Sequence, residues 1–226
     1  MQDWKQIVQV AGIKSLTEAK LLSDCGVDLL GFPLALPTNR EDISADVTAE
    51  IIGKIKSQIN CVLITYLNRA EDILDLCDYI NTSYVQLHGE ISSQEIKRLK
   101  SKFPNLYIIK SLVVGKFTLT ELREKIFDLE PFCEAFITDS FDPGTGACGA
   151  TGKTHDLDVS RELISLSKRP VILAGGLGPE NVYESILYTG PSGVDVHTGI
   201  EDQEGNKDKE KTKRFVRNAQ TGFRAL

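Results

Sequence analysis

Long hydrophobic runs are missing from this chain. No apolar stretch in its 226 residues approaches the ~20 needed to span a bilayer. The opening "MQDWKQI" has neither the basic n-region nor the apolar h-region of a secretory signal. Positive charge is in deficit: 26 Lys and Arg against 32 Asp and Glu leave a formal net charge of −6, with a pI near 5.2. That balance argues against nucleic acid, whose phosphates call for clustered cations. The one basic stretch, "NKDKEKTKRFVRN", alternates with acids and reads as a solvated helix face. The five cysteines (Cys25, Cys61, Cys77, Cys133 and Cys148) are odd in number and form no C-x-x-C pair. Such a set speaks against a disulfide framework or a zinc site and fits a reducing cytoplasm. No G-x-G-x-x-G follows the first strand, and "GATGKT" lacks the spacing of a phosphate-binding P-loop. Neither a dinucleotide nor a nucleoside triphosphate is expected.

What is present is an alternation. With 41% hydrophobic and 26% charged residues, the chain can bury a sizeable core. Short β-rich runs occur at "QIVQV", "VDLLGF", "CVLITY", "YVQLH", "LYIIKS", "AFITD", "PVILAGG" and "GVDVHTG". Helical stripes lie between them: Val47, Ile51, Ile55 and Ile59; Ile73, Leu76, Cys77 and Ile80; Ile96, Leu99 and Phe103. Ser15-x-x-Glu18, Ser92-x-x-Glu95 and Thr118-x-x-Glu121 have the form of capping boxes, and Pro179 suits the first turn of a helix. The strands are apolar throughout, as parallel strands covered by helices are. Eight strand-helix repeats without a linker predict one α/β domain over residues 1–226, a (β/α)₈ barrel.

Barrel chemistry sits at the C-terminal ends of the strands. That rule selects Ala11, Arg40 in the second loop, Gln86, His88, Lys110, Asp139, Gly175, Gly176, Asp195 and His197. The glycine turns in "LAGGLGPENV" and "VHTGIED" close the last two repeats, where such barrels often bind phosphate through free N–H groups. Asp139, at the end of an apolar run, is either a general acid with a raised pKa or a loop-bracing aspartate. The long glycine-rich stretch after it suggests a lid. The three histidines, His88, His155 and His197, all fall at strand ends or in that loop.

In order along the chain, "VQVAGIKSLTEAKLLSDCGVDLLGF", "VQLHGE", "FITDS", "GATGKTHDL", "LAGGLGPENV" and "GVDVHTGIED" resemble the phosphoribosylanthranilate isomerase family of tryptophan biosynthesis. That resemblance implies a (β/α)₈ barrel, no cofactor, and an Amadori rearrangement of a phosphoribosyl amine. It makes Asp139 the general acid and assigns Arg40 to the anthranilate carboxylate. Gly175, Gly176 and the backbone of His197, Thr198 and Gly199 become the phosphate cradle, and Asp195 a group near the ribose. A phosphorylated small molecule is the expected partner, with no nucleic acid or membrane, for a cytoplasmic monomer or homodimer.

One position departs. Where the family's "CGI" supplies a cysteine as general base, this chain has Ala11, and a methyl group cannot accept a proton. His197, replacing a family serine, is the expected substitute base, with Cys148 and His155 behind it. Two other readings stand beside the isomerase: an enzyme acting on another phosphorylated sugar, and a non-catalytic phosphosugar binder.

Overall fold

The computed structural model describes residues 4–37, 43–142, 147–148 and 156–226, with backbone alone for 141–142 and 147–148. Nine strands run in chain order. They are β1 (Ile7–Ala11), β2 (Leu29–Leu34), β3 (Asn60–Thr65), β4 (Tyr84–Leu87), β5 (Tyr107–Val114), β6 (Ala135–Asp142), β7 (Ala147–Cys148), β8 (Val171–Leu173) and β9 (Gly193–Val196). Their helices are α1 (Leu16–Asp24), α2 (Ala45–Ile55), α3 (Ala70–Tyr79), α4 (Ser93–Lys102), α5 (Leu119–Leu129), α6 (Leu157–Leu166), α7 (Val182–Thr189) and α8 (Lys209–Arg224). Eight strands pair in parallel with their neighbours, β5 with β6 and β9 with β1, so the sheet closes into a (β/α)₈ barrel. The two-residue β7 turns back antiparallel on the end of β6.

Strand side chains alternate between two faces, and the two faces fill two cores. Val8, Val10, Phe32, Leu63, Phe136 and Val194 face outward and pack with Leu22, Ile52, Leu99, Ile126, Ile186 and Phe215 of the helices. Ile7, Ala11, Leu29, Val62, Ile109, Ala135 and Ile172 belong to the inner cluster. At the N-terminal end Tyr84 stacks on Tyr107 with centroids 4.6 Å apart, and Trp4 tilts against Tyr107.

Helix starts follow the sequence signals with instructive exceptions. Thr118 and Glu121 form a complete reciprocal capping box. Ser15 and Ser92 cap α1 and α4 as expected, but their paired glutamates reach elsewhere. Glu18 takes the N–H groups of Lys14 and Lys207, and Glu95 takes that of Ala70. Pro179 falls in the turn before α7, where the Gly178 carbonyl accepts from Val182 N–H. The stripes also lose their ends: Val47 is 42% exposed and Phe103, at the α4 C-cap, 51%.

Phe136 fills the layer between barrel and helices with no exposed surface. Phe136→Ala should lower unfolding free energy by about 3–5 kcal/mol, read from the shift of the urea midpoint. A smaller loss would mean the shell collapses into the space.

Candidate active site

The eight parallel strands end at one mouth, and several of the inward residues near it are polar. β6 delivers Asp139, whose carboxyl Oδ1 accepts the Ser140 N–H at 2.8 Å. Asp139 Oδ2 lies 3.4 Å from His88 Nδ1, which is also 3.0 Å from Ser111 Oγ on β5. The edge of Tyr66 meets the His88 ring at 4.7 Å. Burial pushes the Asp139 carboxyl up to about 7, against the lowering effect of the Ser140 N–H. A carboxyl of that strength can hold a proton at neutral pH and give it up during reaction. A cleft of about 890 Å³ opens beside it, lined by Leu36, Tyr66, His88, Ser111 and Phe117 among others.

Across the mouth, β9 delivers Asp195 opposite Gln9 of β1. Asp195 is raised to about 7 by burial first and then by the charge of Asp139. Gln9 Nε2 donates to Gln86 Oε1 at 2.8 Å inside the barrel. Ala11 stands one inward position above Gln9 and beside Gly31. A Cβ on Gly31 would lie 3.4 Å from the Ala11 methyl and 2.6 Å from Ile64 Cδ1, so the alanine sits in a close-packed wall.

The last two loops make a compact turn. Gly175 and Gly176 have φ of 103° and 66°, a region costly for other residues. Asn181 pins the turn, accepting from Gly178 N–H at 2.8 Å and donating to the Gly176 carbonyl at 3.0 Å. The loop after β9 presses against it so closely that a Cβ on Gly199 would come 2.0 Å from the Leu177 oxygen. The N–H groups of Gly175, Gly176 and Gly199 have no acceptor among the described residues. Such N–H groups suit an anion.

The structure therefore gathers Asp139, Asp195, His88, Gln86, the paired glycines and His197 at one end. His197 lies on the rim, its ring over Gly12; a Cβ there would meet Nε2 at 2.1 Å. That nitrogen is 3.6 Å from Glu201 Oε1, and Glu201 in turn takes Lys207 Nζ at 2.8 Å. Lys110 is turned to other work: its Nζ donates to the carbonyls of Leu87, Gly89 and Ser111. Burial lowers its pKa to about 8. Arg40, His155 and the Cys148 side chain lie outside the described residues, as does most of the expected lid. Cys25 is the C-cap residue of α1. No cluster of His, Cys, Asp and Glu among the described residues could hold a metal. Sequence reading missed the Gln9–Gln86 bond, Ser111 and Asn181. Strict strand alternation through Gln9 and Ala11 would have turned Gln9 inward, though it could not have named its partner.

Fold and mouth together define a (β/α)₈-barrel protein with two carboxyls at the strand ends and a glycine-built turn beside them. Residues 8–218 match the family model of N-(5'-phosphoribosyl)anthranilate isomerase, and the chain belongs to that family. It is 36% identical over 218 residues to N-(5'-phosphoribosyl)anthranilate isomerase 2 of Methanosarcina mazei, covering 96% of this chain and 95% of that one. The Methanothrix thermoacetophila isomerase is 30% identical over 210 residues, covering 93% and 96%. Among solved structures, the Pyrococcus furiosus isomerase superposes with a TM-score of 0.77 at 28% identity, over 95% of this chain and 98% of that one. A phosphoribosylanthranilate isomerase bound to reduced 1-(o-carboxyphenylamino)-1-deoxyribulose 5-phosphate gives 0.77 at 26% identity, with the same coverage.

Asp139 takes up a proton more readily folded than unfolded, because its pKa rises from 3.8 to about 7. Between those values the native chain holds more protons, so its contribution to stability is present at low pH and lost as pH rises through 7. The melting temperature of wild type should fall between pH 5 and pH 8 more steeply than that of Asp139→Asn. Parallel curves would place the carboxyl's titration outside that window.

Proposed function

We propose that this protein isomerises N-(5'-phosphoribosyl)anthranilate, opening the ribose ring and converting the aldose amine into the 1-deoxyribulose product. The observation that carries this reading is Asp139, a buried carboxyl at the strand end that holds its proton near neutrality. Protonating the ring oxygen requires an acid of this strength, since proton transfer works best when donor pKa and working pH are close. The turn of Gly175 and Gly176, with the backbone of Thr198 and Gly199, is proposed to cradle the 5'-phosphate. The ligand of the solved relative, which carries both a ribulose phosphate and a carboxyphenyl group, would then span from that turn toward the His88 cleft. Arg40 is proposed to hold the anthranilate carboxylate, for which a guanidinium is well matched.

A reducing compartment suits the protein, since Cys25, Cys61, Cys77 and Cys133 are free thiols. No helix among the described residues is long and apolar enough to cross a membrane. A cytoplasmic location is proposed on that basis.

The decisive measurement is loss of substrate fluorescence with purified protein, with Asp139→Asn as control for contaminating isomerase. Turnover that the control loses by about 10²-fold or more supports the reaction. Ligand-induced thermal stabilisation without turnover would instead make the protein a phosphosugar binder. Restoring a thiol should help: Ala11→Cys is expected to raise kcat while leaving KM nearly unchanged. No gain would mean that the mouth around Ala11 no longer presents the sugar carbon to that position.

A further inference from the structure

We propose that Asp195, held by the buried amide of Gln9 and paired with Asp139, is the proton acceptor that stands in for the side chain missing at Ala11. The proposal rests on the isomerase reading above. β9 lies directly beside β1, with Gln9 in register with Asp195, and Ala11 is the next inward residue above Gln9. Asp195 is thus the carboxyl adjacent to the position the alanine leaves without chemistry.

Its inner oxygen is in an unusual state. Asp195 Oδ1 and Gln9 Oε1 are both buried and have no hydrogen-bond partner among the described residues. Two buried acceptors without donors are costly, and a proton taken up by Asp195 puts a donor on that carboxyl. The other end of the Gln9 amide is committed to Gln86, so a chain of neutral amides lies behind the carboxyl. Neutral amides do not fix a carboxylate in its charged form as a cation would. The charged groups facing Asp195 are Asp139 from β6 and Lys207 from the segment before α8. His197 lies two residues on, just past the end of β9. Burial and the Asp139 charge raise its pKa, while Gln9 and Lys207 lower it. Lys207 is itself engaged with Glu201 and the His197 carbonyl.

Two interacting carboxyls, each near 7, hold one proton between them at neutral pH. One is then an acid while the other is a base, which is what ring opening followed by proton removal requires. Asp139 passes its proton to the ring oxygen as the C1–O bond breaks and the nitrogen lone pair forms the C1=N iminium. Asp195 takes the proton from C2. The C–H electron pair becomes C1=C2 and the iminium π pair returns to nitrogen. The enol loses its O–H proton and C1 gains one, giving the ketone. The proton on Asp195 crosses to Asp139 and restores the pair, with no net oxidation. His197 is less well placed, because its Nε2 is drawn to Glu201 at the rim.

The test uses the full chain and N-(5'-phosphoribosyl)anthranilate. Asp195→Asn is expected to lower kcat by about 10²–10⁴-fold while still binding reduced 1-(o-carboxyphenylamino)-1-deoxyribulose 5-phosphate. The double variant Asp195→Asn/Ala11→Cys is expected to regain turnover. Undiminished kcat in Asp195→Asn overturns the proposal, as does a His197→Ala protein that loses turnover while Asp195→Asn keeps it. If wild type itself shows no turnover, the reaction reading fails, and ¹³C-aspartate NMR decides the carboxyl pair separately. An Asp195 midpoint near 7 that moves down in Asp139→Asn supports the shared proton. An ordinary carboxylate midpoint in both proteins overturns it.

Discussion

Closure of the parallel sheet is the constraint on which everything else in this protein depends. Because β5 pairs with β6 and β9 with β1, each of the eight parallel strands points its C-terminal end at the same mouth, and inward side chains have nowhere to go but the barrel axis. Apolar residues fill the lower interior. Asp139 and Asp195 enter the same space from different strands with little water to solvate their charge. Their raised pKa values are the consequence of burial, and burial is the consequence of closure.

That arrangement has a cost in stability and a return in chemistry. A buried carboxyl with neutral partners weakens the fold as pH rises, yet the same environment keeps a proton available at the barrel mouth near neutral pH. The glycine turn after β8 shows a similar trade. Positive φ at Gly175 and Gly176 and the close approach of Gly199 to Leu177 leave backbone N–H groups without acceptors among the described residues, at the expense of local conformational freedom.

Local sequence signals were honoured where nothing competed for the groups involved. Thr118 and Glu121 complete their capping box on an exposed helix start. Glu18 and Glu95 do not, because other backbone donors take their carboxylates: the adjoining Lys14 and the distant Lys207 for one, Ala70 for the other. The helix caps thereby became ties between repeats. Lys110 underwent the same conversion, from a strand-end candidate to a brace holding three backbone carbonyls.

Periodicity and glycine placement in the chain determined the barrel, the strand ends and the position of Asp139 at one of them, because each depends on short-range spacing that a sequence displays directly. That the first strand ends on Ala11, a side chain without acid-base chemistry, was also plain from residue identity alone. Only the tertiary structure decided which polar groups meet. Gln9, Gln86 and Asp195 come from the first, fourth and last barrel strands, and nothing in their separate surroundings announces the contact. Their pairing arises from register across a closed sheet, a property of the assembled barrel that no single segment carries.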